Sequence, residues 1–414
     1  MPVRAELADY YKEQHGTVYL TLRFMPKADL SHYQGREEAY VKHYLLEKYL
    51  PDWAYKVGTK WDSLVYIDGF AGPWRTTDPN YADSSFARAI DTLRTCKLGL
   101  QKRGVTLSTS AILVESNKEA FAKLDSFARS ASGPDVSVTA IPGKFVDTIS
   151  KINEHLRLAG PRAFKFVLLD PMGWADIPMK KLQPFLKMRS CEVLINLMTK
   201  HINRFLNEED RASSYNNLFG RPGVLESLRS AVGEEREELA VKEYCRSLQM
   251  LCSFQFVSSA VILEPQEAKI RYFLVYATNH PRGIEVFKTA ENKAANMQEI
   301  VRQEKLVQKT RQTGFDFADD RLLSSYTFRL YQRYRDRARE KVIEYLKKAP
   351  RAKTSYWKLF CEAMTFPLVT PDDLLVWLDE LAPYIELHPT EGHKKLSPTR
   401  ENDYITIIDR HRLQ

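Results

Sequence analysis

No apolar run in the 414 residues approaches the ~18 needed to span a bilayer, although 44% of the chain is hydrophobic. The opening Met1-Pro2-Val3-Arg4-Ala5-Glu6 has no apolar stretch and carries an acid early, unlike a secretion signal. Cysteine is scarce: Cys96, Cys191, Cys245, Cys252 and Cys361 are odd in number and scattered. They argue against a disulfide framework and fit free thiols in a reducing, cytoplasmic setting. Cys245 and Cys252 lack the spacing of a zinc knuckle and have no histidine nearby, so no metal site is expected. The Walker lysine motif, the G-x-S-x-G elbow and H-E-x-x-H are all missing, as are repeats and low-complexity tracts. The simplest nucleotide hydrolase, serine hydrolase and zinc protease readings therefore fall away.

Charge is present but local. Val301 to Lys353 carries 15 Lys and Arg against 7 Asp and Glu, which accounts for the whole net charge of +8. Such an excess can hold phosphates or can be a solvated helix face. The arginines concerned are Arg329, Arg333, Arg335, Arg337 and Arg339.

Short runs rich in Val and Ile alternate with helical patterns. The pattern predicts strands at Leu64–Phe70, Ala111–Glu115, Val136–Ile141, Phe164–Asp170 and Cys191–Leu197. Helices are expected at Ser84–Cys96, Lys118–Ser130, Phe145–Leu158 and Met179–Met188, after a first helix at Glu37–Leu50 that Pro51 should end. Strands alternating with helices imply parallel βαβ units. Phe256–Leu263 and Arg271–Thr278, joined by a short turn, predict an antiparallel pair. A sheet of the S-adenosylmethionine (SAM) methyltransferase type ends in such a pair. Charged helices are expected at Glu285–Lys309 and Ser324–Lys348, with a linker at Thr313–Asp320 between them. The tail reads as helices at Ser355–Met364 and Pro371–Leu381, then strands at Ile385–His388 and Tyr404–Ile408, the order of a winged helix. The expected organisation is a lead-in (1–36), a Rossmann-like, doubly wound α/β methyltransferase domain (37–300), a basic helical linker (301–352) and a winged-helix-like domain (353–414).

Four strand ends carry the candidate chemistry. The first is Tyr66-Ile67-Asp68-Gly69-Phe70-Ala71-Gly72-Pro73, where Gly69 and Gly72 let backbone approach a ligand beyond the sheet's carboxyl edge. Asp68 is placed to meet the ammonium of SAM; the alternative is a tight strand-to-turn junction. Glu115 ends the second strand, where an acid accepts ribose hydroxyls or caps the next helix. Near the third strand's end, Phe145 can stack on adenine or belong to the core, while Lys144 stands where SAM sites often have an acid. The fourth strand ends in Asp170-Pro171-Met172-Gly173-Trp174, similar to the Asp/Asn-Pro-Pro-aromatic motif of amino-methyltransferases. Asp170 would accept the N–H bonds of a weakly nucleophilic amine and orient its nitrogen. Trp174 would stack on the base, unless the segment is only a strand-ending turn.

The phrases Tyr66–Pro73 and Asp170-Pro171-Met172-Gly173, together with Val41–Leu50 and Tyr272-Phe-Leu-Val-Tyr-Ala-Thr-Asn-His-Pro-Arg-Gly283, resemble the three-Cys-motif partner proteins, a bacterial family. The resemblance runs from about residue 38 to the end. It implies a SAM-methyltransferase-like fold and a separate, radical-SAM-like partner protein bearing a three-cysteine motif. Trp74 and Lys144 depart from the family pattern. The reading that results is a SAM-dependent N-methyltransferase acting on a base in nucleic acid, with phosphates on the arginine helix. Its rival is a non-catalytic scaffold with the same fold. The third helix of the tail, Pro371–Leu381, carries Asp372, Asp373, Asp379 and Glu380 and no base, so it should contact protein or dock within the chain rather than enter a groove.

Overall fold

In a computed structural model of the chain, residues 28–73, 76–188, 190–204, 212–313, 317–350 and 352–413 are described, with side chains omitted for 201, 203, 204 and 306–325. Trp74 lies outside the described residues.

The first helix, α1 (Glu37–Gly58), continues through Pro51 rather than stopping there. The carbonyl that Pro51 leaves unbonded belongs to Glu47, on the exposed side. The turn beyond it buries Trp53 and Ala54, and Trp53 meets Phe164 and Phe166 of the sheet, which offsets the lost bond.

Seven strands follow in the order β3-β2-β1-β4-β5-β7-β6. They are β1 (Ser63–Asp68), β2 (Ser108–Glu115), β3 (Ser137–Pro142), β4 (Ala163–Leu169), β5 (Cys191–Leu197), β6 (Phe256–Leu263) and β7 (Ile270–Thr278). The first five pair in parallel, and β7 enters antiparallel between β5 and β6. Strands β1, β5 and β6 are buried at every residue, as strands covered on both faces must be. This is an α/β fold with the strand order of SAM-dependent methyltransferases. The chain reverses direction across the sheet at β1 and β4, and right-handed crossovers put the connecting helices on opposite faces on either side of that switch. Helix α2 (Ser85–Gln101) packs on α1, and its Phe86 meets Phe127 of α3 (Lys118–Ala131) at 5.0 Å between ring centroids. Helices α4 (Phe145–Leu158) and α5 (Met179–Leu186) form the β3–β4 and β4–β5 crossovers. Between β5 and β6 the described residues form α6 (Thr199–Arg204), α7 (Ala212–Phe219), α8 (Val224–Ser230) and α9 (Gly233–Cys252).

Helix α10 (Pro281–Thr313) lies along α1, and α11 (Phe317–Lys348) follows it. Residues 317–320, expected in a linker, belong to α11. The tail comprises β8 (Thr354–Ser355), α12 (Tyr356–Ala363), α13 (Pro371–Glu380), β9 (Ile385–His388) and β10 (Tyr404–Ile407), with the small sheet ordered β8-β10-β9. Thr370 and Asp373 form the capping box that starts α13.

The arginines of α11 meet the protein's own carboxylates. Arg333 pairs with Glu234 (2.9 Å) and Glu238 (2.6 Å) of α9, and Arg337 also pairs with Glu238. Arg335 pairs with Asp373 (2.7 Å) and Arg339 with Glu380 (3.1 Å), both on α13. Arg329 is exposed. The acids of α13 thus dock that helix within the chain, and four of the five arginines expected to hold phosphate are engaged inside the protein. No helix among the described residues is long and apolar enough to cross a membrane.

Candidate active site

A cavity of about 570 Å³ opens beyond the carboxyl ends of the parallel strands, in the size range of small-molecule sites. Gly69–Gly72 line it from the end of β1, Glu115 from β2, Gly143–Phe145 from β3, Asp170–Met172 from β4 and Asn196 from β5. Chain before the sheet adds Arg36, Glu38, Lys42 and His43, and Arg271 and Tyr272 come from β7. All five parallel strand ends therefore converge on one space.

Asp68 lies beneath this space and not in its wall. It is fully buried, and it accepts hydrogen bonds from Ser85 Oγ (2.7 Å), Tyr66 Oη (3.1 Å) and the Phe70 amide (3.1 Å). These contacts fix the turn that presents Gly69–Gly72. At Gly69 a Cβ would stand 2.7 Å from Leu169 Cδ2 and 2.8 Å from Phe145 Cδ2, so only glycine lets β1 close on its neighbours. Phe145 is buried against Gly69 and Phe185 while also lining the cavity. Gly143, at φ +129°, makes the turn into α4. Glu115 accepts from the Asn117 amide (2.5 Å), and the side chain that caps α3 is that of Asn117.

Burial lifts the Asp68 carboxyl from 3.8 to about 6, against the opposing hydrogen bonds from Ser85 and Phe70. The unfolded chain ionises this group near its ordinary value. The stabilisation held by the neutral form is therefore complete below the unfolded value and is lost as pH rises through the folded one. Relative to Asp68→Asn, which does not titrate, the wild-type protein is expected to lose about 2 kcal/mol between roughly pH 4 and pH 7. Denaturant midpoints of both proteins at matched pH check this; a gap that stays constant across the window would rule out Asp68 as its origin.

Asp170 sits in a set of groups drawn from three elements. Lys42 Nζ of α1 pairs with its Oδ2, and Asn196 Nδ2 of β5 donates to its Oδ1 at 2.7 Å. Asn196 Oδ1 is buried and has no hydrogen-bond partner. Pro171 lines the cavity, and Met172 stands at its mouth, 71% exposed. Gly173 and Trp174 do not line it. Trp174 turns back into the core, 4% exposed, and stacks on Tyr215 with centroids 4.8 Å apart.

Several cavity residues had no place in the sequence reading. Asp83 is buried: its Oδ2 accepts from Arg36 and from the Thr77 amide (3.0 Å), and its Oδ1 has no hydrogen-bond partner. The available signal was position, because Asp83 precedes Ser84, and it is Ser84 that caps α2 by accepting from the Ala87 amide. His43 meets Tyr33 Oη at 3.0 Å. Burial, then the charges of Lys42, Arg88 and Arg36, hold its imidazole well below the ordinary range, so it is neutral at physiological pH. Arg271 pairs with Glu264 (3.1 Å) and Glu38 (3.6 Å) at the rim.

No protein-family model matches the chain, and no curated protein matches it. Several solved structures resemble it in part, two of them as follows. One is the O-methyltransferase from Bacillus cereus in complex with S-adenosylhomocysteine (SAH), with 11% identity and a TM-score of 0.30, covering 66% of this chain and 97% of that one. The other is loganic acid methyltransferase with SAH, at 11% identity and a TM-score of 0.29, covering 69% and 93%. Among the described residues no group of three or more His, Cys, Asp or Glu is arranged to hold a metal ion.

Proposed function

We propose that the protein is a SAM-dependent N-methyltransferase acting on an amino group of a base in nucleic acid. The observation that carries this is the junction of Asp170 and Asn196 at the cavity: a carboxylate beside a buried amide oxygen with no donor of its own. Two acceptors side by side suit the two N–H bonds of an amine and would hold its lone pair toward an electrophile. The residues present also fit SAM. Gly69–Gly72 supply close backbone, Glu115 an acceptor for ribose hydroxyls, and Asp83 a buried carboxylate oxygen for the ammonium. The chemistry that SAM supplies when bound is an electrophilic methyl group. With four arginines of α11 already paired, phosphates would fall to exposed Lys144 beside the cavity.

The resemblance to three-Cys-motif partner proteins adds a protein partner to this proposal. The outward face of α13, with Asp372, Leu375, Val376 and Asp379 exposed, is acidic and apolar, which suits protein better than nucleic acid. A second reading, a non-catalytic scaffold, is favoured by one observation: Lys42 already occupies the carboxylate an incoming amine needs.

Isothermal titration with SAM separates the readings. The wild-type protein is expected to bind in the micromolar range, and Asp83→Asn to weaken binding at least about tenfold, since hydrogen bonds to a charged group are worth ~1.5–3 kcal/mol. No binding by the folded wild-type protein would make the scaffold the leading reading.

A further inference from the structure

A second cavity, of about 240 Å³, lies at the opposite end of the sheet. Its walls come from the end of α1, the amino ends of β4 and β5, and the junction of β7 with α10. Tyr49, Trp53, Trp61 and Phe164 line it: Trp61 meets Phe164 at 5.4 Å between centroids, and Trp53 meets the same ring at 6.3 Å. Trp53 is 3% exposed, yet its Nε1–H has no acceptor. A buried donor left unpaired is costly, and native proteins rarely keep one without a purpose.

Exposed Lys60 and Arg282 border this space with His280; Arg282 pairs with Glu285 (3.4 Å), and Lys60 makes no ion pair among the described residues. Lys60 and Arg282 both act on His280, where their charges add to burial in lowering its pKa. The positive end of the 33-residue α10 points the same way. The acid in the wall, Glu192, is held within the protein: its carboxylate accepts from Tyr49 Oη (2.5 Å) and Thr278 Oγ1 (2.9 Å), and burial raises its pKa. Gly283 keeps α10 tight on that cluster, since a Cβ there would fall 2.5 Å from Tyr276 Oη.

We propose that this second cavity binds a small aromatic carboxylate, with its ring among Trp53, Trp61 and Phe164 and its anionic group toward Lys60 and Arg282. The volume is below the ~300 Å³ at which drug-sized sites begin, so one ring or two fused rings is the natural size. The Trp53 N–H supplies a donor for the carboxylate, and the cations supply its counter-charge. No part of the cofactor cavity is involved, so the inference stands apart from the methyltransferase reading.

The test is titration of the full chain with naphthalene-2-carboxylate, followed by calorimetry and ligand-observed NMR, with naphthalene-2-carboxamide as the neutral control. Saturable one-to-one binding of the acid is expected, with the amide at least tenfold weaker. Trp53→Phe keeps a ring but removes the donor, and should weaken the acid at least fivefold. Lys60→Ala, an exposed position where folding is not at stake, should do the same. Absence of saturable binding up to millimolar acid, equal binding of acid and amide, or binding that both variants leave within twofold would each overturn the proposal.

Discussion

Asp170→Asn is expected to leave SAM affinity within about threefold and to lower methyl transfer by about 10²–10⁴, the range associated with losing a positioned group that acts on the reacting atoms. The substitution keeps the shape of the side chain and removes its charge. Lys42 then loses its counter-ion and Asn196 its charged acceptor. An amide in this place offers one acceptor oxygen where the carboxylate offered two; with that oxygen held by Lys42 or Asn196, the amine is left with Asn196 Oδ1 alone. Lys42 pairs with Asp170, so Lys42→Met combined with Asp170→Asn should be no worse than Asp170→Asn alone. Tritiated-methyl incorporation into DNA and RNA pools, alongside SAM titration of the same preparations, gives both readouts. Transfer by Asp170→Asn within threefold of wild type would remove Asp170 from the site.

Trp174→Ala should cost stability and not recognition. The ring is almost wholly buried and stacked on Tyr215, and truncating such a side chain typically costs ~3–5 kcal/mol. Chemical denaturation should show that loss, while the folded fraction binds SAM as the wild-type protein does. A stability within 1 kcal/mol of wild type joined to a collapse in transfer would place Trp174 against the substrate after all.

The sheet was legible because its signal is local. Phe166–Leu169 and Cys191–Leu197 are apolar on both faces, and the short turn between Leu263 and Ile270 forces an antiparallel return. The positions of glycines 69 and 72 marked the cavity for the same reason. What joins Asp170 to Lys42 is a separation of 128 residues, and no periodicity in either segment encodes it. The ion pairs of the α11 arginines were illegible for a related reason. Their charges are visible along the helix, but Glu234 and Glu238 precede them by about a hundred residues and Asp373 follows by about forty. Composition counts charges without saying which of them face each other. Trp174 shows the limit of motif spacing: one place of delay in the phrase goes with a ring in the core and not in the pocket. Pro51 failed as a stop because breaking one exposed hydrogen bond is a smaller matter than burying Trp53.

Helix α1 precedes the first strand, yet Lys42 near its start reaches Asp170 and Trp53 near its end walls the second cavity. The doubly wound sheet alone is therefore not the working unit. A fragment cut at β1 would retain every glycine turn and strand end by which such a domain is recognised. It would nonetheless have one wall missing from the cavity at the strand ends and one from the cavity opposite, and Asp170 would face water in place of a lysine. Boundaries drawn by likeness to the minimal sheet would thus strip Leu45, Leu46, Tyr49 and Leu50 from the core along with the walls of both sites.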